Sequence, residues 1–111
     1  MSQAGWIETD SQDNAEAAAS RSAPSDTTKQ HVVFGAHASF SSLAGGLLQI
    51  KDGTTVIFEI AVVRSTAVFT PTMPIFQKGI AITPGNACSA VLSASGTGGT
   101  VGKVNLHGIT R

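Results

Sequence analysis

Tyrosine is absent from this chain, tryptophan and cysteine each occur once, and only 13% of the residues are charged. Each scarcity closes off a class of function. A single cysteine, Cys88, excludes an intrachain disulfide. It shares the strand parity of Ala90 and Leu92 and has no histidine in its local motif, so a small buried thiol is expected there and not a nucleophile. No apolar run approaches the length of a membrane span. Met1-Ser-Gln-Ala-Gly-Trp lacks the basic start and apolar centre of a signal peptide, so the expectation is a protein made and used without Sec export.

Charge is scarce and also balanced. The formal net charge is zero, which gives no general ground for binding nucleic acid or a membrane surface. The balance conceals an asymmetry. Residues 1–30 carry Glu8, Asp10, Asp13, Glu16 and Asp26 against Arg21 and Lys29, a net of −3, and residues 31–111 carry five basic against two acidic residues, a net of +3. With 41% hydrophobic residues, the surface must be rich in Ser, Thr, Gly and Ala. Such a surface suits faces that partners cover.

What the chain has in quantity is glycine, and Ser93-Ala-Ser-Gly-Thr-Gly-Gly-Thr-Val-Gly-Lys103 tests whether glycine here cradles a phosphate. A P-loop needs its first glycine where Thr97 stands, and a hydroxyl where Val104 stands. A dinucleotide fingerprint from Gly96 would need glycine at Val101. Both patterns fail, and the alternating run from Thr100 to Ile109 leaves no room for a phosphate-capping helix. The stretch reads as a hairpin turn between two strands.

The chain divides at about residue 30. The leader is Ser-, Asp-, Gln-, Ala- and Thr-rich, with Trp6 and Ile7 its only large apolar side chains, a composition that cannot offset its own ordering entropy. It is expected as an extended, largely irregular arm, with one or two helical turns possible over Asp13 to Ala19, ordered on a neighbour through Trp6. From His31 the pattern becomes period two. Strands are expected over His31 to Ser41, Leu47 to Lys51, Thr54 to Val63, Ala67 to Thr70, Ile75 to Ile82, Cys88 to Ala94 and Val101 to Ile109. Gly45-Gly46 marks a turn, Asp52-Gly53 a tight hairpin, and Pro84-Gly85 the centre of a type II turn. Val56, Phe58 and Ile60 share an inward face, and Ile57 on the other side suggests cover on both. About seven short strands without a helix predict an all-β domain over 31–111, an antiparallel β-sandwich or jelly-roll-like barrel.

No catalytic or cofactor chemistry assembles from these residues. His31, His37 and His107 match no zinc spacing, and Glu59 points outward by parity, where an ion pair suits it better than acid catalysis. No catalytic residue, metal ligand or cofactor is expected. His37 and His107 stand opposite the core parity, and with Trp6, Ile7, Arg64 and Lys78 they are the candidates for partner contact. A body of about eighty residues is small for a sandwich without disulfide or metal, so assembly is expected.

Phe34-Gly-Ala-His-Ala-Ser-Phe-Ser, Gly46-Leu-Leu-Gln-Ile-Lys-Asp-Gly-Thr-Thr-Val-Ile-Phe-Glu-Ile and the run from Thr83 to Gly108 resemble small β-sandwich structural proteins of tailed bacteriophages. The likeness covers residues 31–109, most specifically Asp52-Gly53-Thr54-Thr55, Pro84-Gly85-Asn86 and Val101-Gly-Lys-Val-Asn-Leu-His-Gly108. The leader shares no motif with them. The resemblance implies a capsid decoration, or cement, protein that sits on the outer shell between capsomers and stabilises it. Its implied partners are the major capsid protein and copies of itself, a homotrimer before a dimer. A tail, neck or fibre-associated module is the alternative.

Overall fold

Alternation of apolar and polar residues builds strands throughout the computed structural model, which describes residues 5–65 and 72–111. Eight strands run in order among them: β1 (Gly5–Asp13), β2 (Ala17–Arg21), β3 (His31–Phe40), β4 (Ala44–Asp52), β5 (Thr55–Arg64), β6 (Ile75–Ala81), β7 (Cys88–Leu92) and β8 (Val101–Thr110). They form two four-stranded sheets, ordered β1-β8-β3-β6 and β2-β7-β4-β5, and every pairing is antiparallel. Consecutive strands change sheet at each connection except β4 to β5. That interleaving is a jelly roll. The strand expected over Ala67 to Thr70 lies outside the described residues.

The leader departs most from expectation. In place of an irregular arm, its residues supply β1 and β2, one strand to each sheet. β1 pairs with β8 from Gly5↔Ile109 to Asp13↔Val101, and β2 pairs with β7 from Ala17↔Leu92 to Arg21↔Cys88. The two residues that bury fully here, Ala17 and Ala19, are small, so a count of large side chains underestimates what the segment contributes. Its inward carboxylates also find partners: Glu8 pairs with Arg21 at 2.9 Å and Asp10 accepts from the Ala18 amide at 2.9 Å. Helical turns over Asp13 to Ala19 do not form. Asn14, at φ 47°, turns the corner between the sheets, and tertiary pairing overrides the helix propensity of the alanines.

Trp6, Phe40, Leu48, Ile50, Leu92, Val104 and Leu106 fill the space between the sheets, with Ala36, Ala38 and Ala90 keeping them close. Cys88 is buried in this core, as its parity suggests. Trp6 therefore anchors its own chain. Its indole stands edge-on to the buried His31 ring at 5.6 Å and under the Arg21 guanidinium at 5.4 Å.

The turns follow their chemistry with two corrections. Gly85, at φ 82°, closes a turn in which the Asn86 amide donates to the Thr83 carbonyl at 3.0 Å, as expected for Pro84-Gly85. In the β4–β5 hairpin Asp52 pairs with Thr55, so Gly53, at φ 60°, takes the first loop position and Asp52 stays in the strand. Gly45 and Gly46 also pair within β4 and do not turn. The glycine-rich 93–100 segment is a loop but joins no hairpin, because it carries the chain from one sheet to the other.

β5 is an edge strand with most of its apolar surface open. Its inward parity is the one expected, with Val62 buried and Phe58 packed edge-on to Phe76 at 5.0 Å. Val56, Ile57, Ile60 and Val63 nevertheless remain exposed, on both faces. The expected cover does not come from within the described residues.

Candidate binding face

β8 is flanked by β1 and β3, and its alternation defines the outer face of that sheet. Val104 and Leu106 point into the core, so Lys103, Asn105 and His107 point away from it. Register then assembles three rows across the strands. Ile7 lies beside His107; Thr9, Asn105 and His37 stand abreast; Ser11, Lys103 and Ser39 follow. A register shift between Val33 and Gly35 brings β3 into this alignment.

Gly35 is needed where it stands. A Cβ there would come within 2.5 Å of the His107 Nε2 and 2.9 Å of the Pro74 carbonyl oxygen, so only glycine lets the imidazole lie against β3. At His37 the Asn105 amide nitrogen lies 3.4 Å from Nδ1, a long contact in which the amide donates to the ring. A depression of about 560 Å³ opens between Thr9, Ser11, His37, Lys103 and Asn105. A second, of about 580 Å³, lies toward Ile7, Phe34 and His107.

Of the residues expected to touch partners, Ile7, His37 and His107 share this face. Arg64 reaches its edge, donating through Nη1 to the Phe40 carbonyl at 3.0 Å. Trp6 packs in the core and meets this face only where its edge lines the second depression, and Lys78 is exposed on β6, lining neither depression. Lys103, Asn105 and Thr9 belong to the face and are absent from the sequence-derived candidates. The parity that exposes His107 exposes Lys103 and Asn105 too, so the signal was present in β8. Thr9 had none, because β1 was not legible as a strand.

Among the described residues no group of three His, Cys, Asp or Glu side chains could hold a metal ion. His31 is engaged at both ring nitrogens: the Ser22 carbonyl 2.7 Å from Nε2 can only accept, so that nitrogen carries a proton, and Nδ1 lies 2.7 Å from the Thr110 hydroxyl, which donates to it in the neutral ring. Burial, with the Asp52 charge adding to it, pushes the Cys88 thiol up to about 12 from an ordinary 9.0, which removes it as a nucleophile near neutrality.

The molecule is thus an all-β jelly-roll sandwich module with a polar sheet face. No family model matches the sequence, and no curated protein sequence matches it either. Solved structures do share the fold. A chain of the acid-stable capsid of Helicobacter pylori bacteriophage KHP30 is similar over 95% of this chain and 86% of its own, at 7% identity and a TM-score of 0.59. The CBM36-1 domain of a multidomain xylanase from the hindgut metagenome of Trinervitermes trinervoides is similar over 96% of both chains, at 9% identity and a TM-score of 0.52. Insecticidal delta-endotoxin Cry8Ea1 from Bacillus thuringiensis matches 89% of this chain with 18% of its own, at 12% identity and a TM-score of 0.53. At such identities the likeness is one of fold.

Proposed function

We propose that this chain is a virion structural protein of a tailed bacteriophage, a decoration module that binds the outer capsid surface between capsomers and stabilises the shell without catalysis. The observation that carries this reading is β5, an edge strand with exposed apolar side chains on both faces. A strand of that composition calls for cover by another chain. Low surface charge and the resemblance over residues 31–109 support the same reading.

In this account copies associate as a trimer through β5, and the polar face of β1, β8 and β3 meets the major capsid protein. Ile7, 70% exposed on the edge strand β1, carries the leader's contact with a neighbour, a role that buried Trp6 cannot fill. The test adds purified protein to shells stripped of it. Saturable co-sedimentation and a higher temperature of DNA release are expected; failure of either contradicts the proposal.

The second reading, a tail, neck or fibre-associated module contacting glycans, draws on the similarity along the whole length of the xylanase's CBM36-1 domain. Against it, the outer face offers no Tyr or Trp ring on which a sugar could stack, since the chain has no Tyr and its one Trp is buried.

A further inference from the structure

β4 and β5 alternate in opposite phase on the outer face of their sheet. With Leu48, Ile50 and Val62 buried, parity turns Gly45 and Leu47 of β4, and Ala61 and Val63 of β5, away from the core. Register sets Gly45 beside Val63 and Leu47 beside Ala61. Small neighbours large in one row, and large neighbours small in the next. Leu47 is 41% exposed and Val63 55%, so each stands clear above a low neighbour.

Gly45 is the residue of this face that its own chain does not explain. Its φ is not among the positive ones, and a Cβ built there would meet nothing closer than the Val63 Cγ2 at 4.0 Å. Gly46 differs, because a Cβ there would strike the Ser93 hydroxyl and the Phe40 ring. Glycine inside a strand lowers stability, and it marks places where another backbone comes close. At Gly45 nothing among the described residues makes that approach.

The pattern selects its own occupant. A half-turn about an axis that runs along the strands, between β4 and β5 and midway to a second copy, lays β4 over the partner's β5 at the same level. Val63 then enters the gap above the partner's Gly45, Leu47 faces the partner's Ala61, and both relations recur in reverse. Every large side chain meets a small one. The charges agree with this arrangement. Lys51 and Glu59 are the only charged residues that the four strands of this sheet turn outward. Since Glu59 is level with Gln49, the rotation sets it over the partner's Gln49, one outward step along β4 from the partner's Lys51. Opposite charges therefore meet across the axis, which suits a copy of the same face.

We propose that two copies of this chain pack outer face to outer face through β4 and β5, as the stacked sheets of a sandwich do. The pairing does not rest on the capsid reading. It uses outward side chains and leaves the backbone edge of β5 unpaired, so it joins two monomers or two trimers alike.

Sedimentation equilibrium of the full chain tests it. A dimer is expected if the trimer does not form and a hexamer if it does; a monomer or a bare trimer overturns the pairing. G45V sets valine against the partner's Val63 and should weaken pairing about tenfold. The separated copies should lose no thermal stability, because the chain itself leaves room for the side chain. K51E brings like charges together across the axis and should weaken pairing too, and K51E/E59K should recover it. Pairing unaffected by G45V, or no recovery in K51E/E59K, overturns the assignment.

Discussion

The indole Nε1 of Trp6 donates to the Thr110 hydroxyl at 3.1 Å, joining the first strand to the last across 104 positions of sequence. The same hydroxyl meets His31 Nδ1 at 2.7 Å. Thr110 therefore accepts a hydrogen bond from Trp6 and, with the His31 ring neutral, donates one to Nδ1. Replacing it with valine keeps the shape and leaves both partners unpaired, so T110V should lose about 1–3 kcal/mol in urea unfolding. T110S should lose much less. Equal losses for the two would show that the hydroxyl does not matter.

Asp52 ties the β4–β5 hairpin to the loop before β7. Burial acts to raise its pKa, but hydrogen bonds from the Thr83 hydroxyl and amide and from Asn86 outweigh it and hold the carboxyl below 3.8. The stability this adds is present above pH 3.8 and is lost as pH falls through the folded-state value. D52N should cost about 1 kcal/mol at pH 7, and the difference from wild type should shrink below pH 3.8. A difference that stays constant to pH 2.5 would contradict the assignment.

Raising the Cys88 pKa to about 12 has the opposite sign. Stability is unaffected below pH 9.0, the ordinary thiol value, and declines between 9.0 and about 12 as the unfolded thiol ionises while the folded one does not. C88A should flatten that decline. At pH 8 a thiol-specific disulfide reagent should label native protein only through unfolding, so rapid labelling in the absence of denaturant would refute burial of the thiol.

Ile57 and Val63 stand exposed on the outward parity of β5, and among the described residues that strand is paired on one side only. Lysine at either position should convert the proposed trimer to monomer in light scattering and shift monomer stability by no more than about 0.5 kcal/mol. An unchanged association state would remove β5 from the interface.

How far these features could be read from sequence depended on the size of the side chains that carry them. The period-two run from Val32 to Phe40 and the β-branched stretch of β5 declared strands outright, and Pro84-Gly85 declared its turn. β1 and β2 did not, since Thr9, Ser11, Ala17 and Ala19 resemble linker residues until β8 and β7 pair with them. The same lack of local signal hid half of the outer face. Parity placed His37 and His107 outward, but the rows joining them to Thr9 and Ile7 exist only through long-range register. Edge position was equally invisible, so β5 read as a strand covered on both sides when the described residues cover it little.

The central claim, that this jelly roll works by occupying a capsid surface, is tested most directly by cryo-electron microscopy of purified particles with and without the protein. The account predicts added density repeating over the shell lattice between capsomers, with β5 turned toward a neighbouring copy. Density confined to the tail or portal vertex, or no difference between the two particles, would contradict it.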